Sequence, residues 1–251
     1  LSFLARKYYF DNDFIKSNEY YTKLEYIADN NALKREVLIR LMYGYDKTNH
    51  PFAFEYAERV VDLEKKDDWL LSKAKIIIAR NEFSEGNYAK SKITFKEVAL
   101  LSEYDEGAEA KYYLAYLTYL DDSLVLAEKM IFELSEDYNN DHFIAKAFIL
   151  LADIYVRQNN DFQAKATLES VIENHDGEEL VNLARKSWEK IVEREVSNDN
   201  SKENIEIYIQ IEEEVDYNDF EEFLFEEQDE AYDTLKTGQN DTIELIKDQK
   251  Q

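Results

Sequence analysis

A small or compact residue returns every 36 to 38 positions along the first two-thirds of this 251-residue chain, at Ala5, Leu41, Ala79, Ala115 and Ala152. Twelve residues after each stand Ser17, Ala53, Ser91, Ala127 and Ala164. Four further on come Tyr21, Ala57, Phe95, Ile131 and Leu168, and three beyond those Leu24, Val60, Val98, Leu134 and Val171. The spacing has a physical meaning. A small residue on one helix lets a second helix approach closely, and large apolar residues three or four positions on fill the space toward the next pair. A period of this length is the signature of a repeat architecture in which each unit buries its apolar face only against its neighbours.

Composition agrees with long solvated helices. Hydrophobic residues make up 45% and charged residues 34%, and Pro51 is the one proline. An all-β fold would need many more turn breakers. The five glycines are too scattered to build a phosphate loop. A net charge of −25 repels nucleic acid and anionic membranes, both of which need a basic footprint. With no cysteine, disulfides and thiolate metal sites are excluded. No apolar run approaches the ~20 residues of a membrane span, so direct insertion by this chain is not expected. The opening LSFLARKYYF has helical periodicity without an initiator Met or a cap, and reads as an internal cut in a longer protein.

After the fifth repeat, residues 178–196 carry an apolar stripe of Leu180, Leu183, Ala184, Ile191 and Val192. They read as a helix capping the last hydrophobic edge. Composition then shifts. Residues 197–251 hold 18 acidic side chains against 4 lysines, so this fifth of the chain supplies −14 of the −25. SNDNSKEN (197–204) reads as a polar linker, and 205–251 as an acidic extension. Within it Ile205, Ile207, Ile209 and Ile211 alternate as in a strand, and Phe220, Phe223 and Phe225 suit a short amphipathic helix among acids. The expectation is that 205–235 orders on a partner containing β-structure, with the acids steering it toward a basic surface.

At the register level the chain resembles the tetratricopeptide repeat family. The copies that carry the resemblance are AKIIIARNEFSEGNYAKSKITFKEVA (74–99) and AFILLADIYVRQNNDFQAKATLESVI (147–172). Ala79, Gly86, Tyr88, Ser91, Phe95 and Val98 occupy signature places in the first, and Ala152, Tyr155, Ala164, Leu168 and Val171 in the second. The resemblance covers residues 1–176 and implies an all-α, right-handed solenoid of five helix pairs plus the capping helix. Two features depart from the family. The period exceeds about 34 residues, and no proline separates the repeats, so longer or differently capped turns are expected. The stretch 145–174, with its capping helix and acidic tail, looks like the C-terminal end of long tetratricopeptide proteins of Bacteroidota. That broad group includes envelope lipoproteins linked to outer-membrane assembly or secretion, so the likeness implies a periplasmic, outer-membrane-associated scaffold.

No motif for catalysis, nucleotide or metal is present, and His50, His142 and His175 have no His partner at helical spacing. No cofactor is expected. In the family the first helix of each repeat lines the concave face. Carried over by register, Tyr9, Phe10, Tyr45, Phe83, Tyr112, Tyr116 and Tyr119 would line it, interspersed with Arg6, Arg35, Lys73, Arg80, Lys146 and Arg157. Rings and guanidinium groups suit an extended peptide. Some relatives hold a C-terminal carboxylate with a Lys/Asn/Arg set. Here only Lys73 and Lys146 match it, so that specificity is not carried over. The function expected is a non-enzymatic protein-binding scaffold, through that face and through Ile207, Ile209, Phe220, Phe223 and Phe225. The alternatives are a cytoplasmic adaptor or co-chaperone, or the regulatory part of a larger enzyme. The register predicts that Ala152→Phe destabilises the fold by about 1–3 kcal/mol through overpacking, measured as a lower urea midpoint.

Overall fold

Eleven helices account for the regular structure of the computed structural model, which describes the backbone of residues 1–214 and the side chains of residues 1–197. Contacts divide the chain into two units, Leu1–Ile191 and Val192–Gln251. In the first unit, ten helices form five antiparallel pairs: α1 (Ser2–Phe10) with α2 (Phe14–Glu25), α3 (Asn31–Lys47) with α4 (Phe52–Leu63), and α5 (Asp68–Ser84) with α6 (Tyr88–Leu101). The remaining pairs are α7 (Asp105–Leu120) with α8 (Leu124–Asp137) and α9 (Asp141–Arg157) with α10 (Asp161–Asn174). The eleventh helix, α11, runs Glu178–Glu214.

Every residue of the four-fold register is buried, from Ala5 and Ser17 at 0% exposure to Val171 at 3% and Ala53 at 8%. Ser17 shows how close the approach is, since its hydroxyl donates to the carbonyl of Ala5 on the facing helix at 3.3 Å. Burying large members such as Tyr21, Phe95, Ile131 and Leu168 contributes on the order of 1.5–3 kcal/mol each. α7 belongs to two cores at once. Ala110, Leu114 and Leu117 pack toward α1–α6, while Ala108 and Ala115 pack toward α8–α11. The first helices of the last three pairs also touch, α5 against α7 and α7 against α9, which makes a face of first helices there.

The turns are short. Within each pair the loop is three or four residues, and between pairs three to five. Most of each period lies in the helices, with α3, α5 and α9 of 17 residues each. Each turn inside a pair places one residue in the left-handed region: Asn12, Asn49, Gly86, Asp122 and Asn159, with φ between 49° and 77°. In the first turn the Asn12 N–H donates to the Tyr9 carbonyl and the Asp13 N–H to the Tyr8 carbonyl. These two hydrogen bonds satisfy orphan carbonyls at the helix end. Asp13 then caps α2, its carboxylate accepting from the Lys16 N–H, and Asn160 does the same for α10 from the Gln163 N–H.

Two expectations for the later residues are corrected. The linker at 197–204 and the strand-like stretch at 205–211 are both helical, as parts of α11. No glycine or proline interrupts 178–214, and a helix pairs its backbone groups internally, whereas a strand needs a neighbour. Among the described residues no strand exists to offer that neighbour. Phe220, Phe223 and Phe225 lie outside the described residues. The capping geometry predicts that Asn159→Val costs about 1–2 kcal/mol through left-handed strain while Asn159→Gly does not, as compared by urea denaturation.

Candidate protein-binding face

The face of first helices is built from side chains projecting at helical spacing from α5, α7 and α9. On α7, Tyr112, Tyr116 and Tyr119 fall at i, i+4 and i+7 and stack in one rail. Ring centroids are 6.3 Å apart at 19° for the first pair and 6.2 Å apart at 27° for the second. All three rings are half-buried. Phe83 of α5 closes one side, 6.0 Å from Tyr116 and 4.9 Å from Tyr113. From α9, the Lys146 ammonium lies 4.7 Å from the centre of Tyr112, and the Arg157 guanidinium 4.9 Å from that of Tyr119. A cation over a ring face is attracted by its quadrupole. Burial among these groups raises the Tyr112 hydroxyl above its usual range, helped by Tyr113, Tyr116 and Asp153. Burial lowers the Lys146 ammonium, with Glu109 and Glu179 pulling it back up.

Most of the cations expected to meet a partner are already engaged. Arg35 bonds the Glu64 carboxylate at 2.7 Å, and Lys73 pairs with the buried Glu106. Arg80 grips the buried Glu109 with two nitrogens and reaches Asp46 at 3.2 Å. Arg6 pairs with Glu36, and Arg157 bonds Asp122 at 2.8 Å. Lys146 is different. It faces Tyr112, Tyr113 and Phe143 and makes no ion pair among the described residues. The acids of these pairs were not singled out in the sequence, although each lies about one repeat from its cation: Glu36 is 30 residues from Arg6, and Glu109 29 from Arg80.

The other predicted rings hold the stack together. Tyr9 packs edge-on against Phe14 at 5.5 Å beneath Arg40. Tyr45 stacks on Tyr56 at 5.5 Å, and its hydroxyl meets that of Thr22 at 3.2 Å. Ile207 and Ile209 lie on α11, away from the residues of this face in the sequence. The structure therefore brings together Phe83, Tyr112, Tyr116, Tyr119, Lys146 and Arg157, and assigns Tyr9, Tyr45, Arg35, Lys73 and Arg80 to joints between repeats. Among the described residues no group of three or more His, Asp or Glu side chains is placed to hold a metal. No described helix is long and apolar enough to cross a membrane.

Stacked antiparallel pairs with small residues at most approach points, and a ring-bearing face of first helices, define a tetratricopeptide-type helical solenoid. Solved structures share that architecture. MamA superposes with a TM-score of 0.52 at 18% identity, over 68% of this chain and 93% of that one. BtubC (BKLC) from P. vanneervenii gives a TM-score of 0.52 at 15% identity, over 68% and 76%. At such identities the likeness is one of fold alone. No protein-family model matches the sequence, and no curated protein matches it.

Glu64 tests whether Arg35 belongs to a joint. Its carboxyl is lowered from 4.5 to about 2, first by the Arg35 bond and then by the N–H groups of Lys66, Lys65 and Asp67. A depressed carboxylate stabilises the fold fully above about pH 4.5, and that contribution is lost as pH falls toward 2. Carbon-13 NMR titration of Glu64 should find the low midpoint in the parent and a clearly higher one in Arg35→Ala.

Proposed function

We propose that this chain is a non-enzymatic protein-binding scaffold whose first-helix face at α5, α7 and α9 receives an extended segment of a partner. The observation that carries the reading is the tyrosine rail. Its rings repeat every 6.2 to 6.3 Å, close to the ~6.6–6.8 Å between alternate side chains of an extended chain. Alternate side chains of the guest can therefore lie against successive rings. The rings are already held by stacking, so binding costs them little rotamer freedom. Because Arg35, Lys73, Arg80 and Arg157 are bound to acids of the stack, recognition rests on the rings, with Lys146 as the unpaired cation beside the rail.

A place in a multi-protein complex at the bacterial cell envelope is the finer reading. Its support is the likeness of 145–174, with the helix and acidic extension after it, to the ends of envelope tetratricopeptide proteins. The phenylalanines at 220, 223 and 225 would serve as a second docking element toward a basic surface. Subcellular fractionation of the native protein tests the location.

Panning a random-peptide library against the full chain tests the face. The enriched peptides should bind Tyr116→Ala about tenfold more weakly, a difference of about 1.4 kcal/mol, with unchanged helical circular dichroism. Equal affinity for parent and variant would remove the rail from the binding site.

A further inference from the structure

Outside the first-helix face, α2 and the turn between α3 and α4 border an open cleft of about 590 Å³. Its walls are Ile15, Thr22, Tyr45 and His50, and Asn18 lies in its floor. None of these residues belongs to the tyrosine rail, so the cleft is a separate site.

Three features of the cleft bear on what it could hold. Ile15 is 69% exposed, an apolar β-branched side chain left uncovered at the start of α2. The Tyr45 ring is locked in place by Tyr56, by His50 at 4.8 Å and by the hydroxyl contact with Thr22, so it forms a rigid wall. Asn18 is only 6% exposed, yet its Oδ1 has no hydrogen-bond partner and its Nδ2 forms no bond among the described residues. A buried amide left unpaired is unfavourable. Gly44 makes its position possible, because a Cβ there would collide with the Asn18 Oδ1. The Asn18 Nδ2 group, without a partner among the described residues, is the amide donor left at the cleft.

The rim limits the occupant. Glu19 and Lys23, one helical turn apart, border the cleft with opposite signs, so it favours neither an anion nor a cation. A second copy of this chain, at −25, would be repelled, and the acidic stretch 197–251 would gain no attraction from a neutral rim. We infer that this cleft anchors a neutral segment of a partner protein. One large apolar side chain of that segment enters between Ile15 and Tyr45, and an adjacent main-chain carbonyl accepts a hydrogen bond from Asn18 Nδ2. The apolar wall supplies affinity, and the amide sets the direction of the entering chain.

The test titrates N-acetyl-leucinamide, an apolar side chain between two amides, into the isotope-labelled full chain and follows proton–nitrogen NMR spectra. Saturable shifts are expected at the Asn18 side-chain amide and the Thr22, Tyr45 and His50 backbone amides, with none along α7. N-acetyl-glycinamide, which lacks the side chain, should give no such shifts. Ile15→Asp, at an exposed position, should weaken the leucine probe about tenfold while leaving the rest of the spectrum in place. An absence of saturable shifts, shifts confined to α7, or full binding by Ile15→Asp would each overturn the inference. So would cleft shifts that arise from raising protein concentration alone, which would make a second copy the occupant. Cleft shifts produced by Phe223→Ala without any probe would point to the chain's own acidic extension and overturn it equally.

Discussion

The approach of two helices at a pair of small residues is the constraint on which the rest of the structure depends. Ala5 against Ser17, Ala115 against Ala127 and Ala152 against Ala164 are all essentially fully buried, so the paired backbones lie as near as side chains permit. That closeness brings Phe95, Ile131 and Leu168 into contact with the next pair, and stacking follows because no pair can cover its own apolar edge. It also sets the turns. Two helices so near each other leave room for only a few linking residues, and a left-handed residue reverses the chain at little length. Asn12, Asn49, Gly86, Asp122 and Asn159 serve that purpose in turn.

Stacking then decides which charged groups are available. The chain carries 55 acids against 30 bases, so a basic side chain on the first-helix face has acids within reach as soon as the next repeat docks. Arg6, Arg35, Lys73, Arg80 and Arg157 all end in such pairs. Partly buried pairs of this kind act more as register pins between repeats than as large stability terms. Lys146, held among three rings, escapes because its immediate neighbours are aromatic. The unpaired surface of this face is therefore aromatic in character, and its geometry comes from one helix, α7, which contributes to both cores.

Much of this was legible in the residues. The register of small and large positions located five helix pairs, and each of its members is buried. The turn asparagines could have been read the same way, because Asn12–Asp13 and Asn159–Asn160 combine a left-handed residue with a helix cap. The alternating isoleucines of 205–211 misled, since period two is a property of side chains and the backbone there found no strand to pair with. The cleft beside Tyr45 had no linear signature at all. Asn18 and Gly44 are 26 positions apart in the sequence, and their dependence on each other exists only where α2 meets α3.

The sequence by itself determined the architecture, because helical periodicity and small-residue spacing are local properties that need no knowledge of what lies alongside. Only the tertiary structure decided which residues remain free to bind. Arg80 and Lys146 look alike in the sequence, both being cations on first helices of the repeat. One lies against Glu109 and the other against three rings. The difference arises mainly from neighbours contributed by an adjacent repeat: Glu109 is 29 residues from Arg80, and Tyr112 and Tyr113 lie on the helix pair before that of Lys146. Such neighbours meet only once the apolar faces have stacked, so the distinction belongs to the packed solenoid.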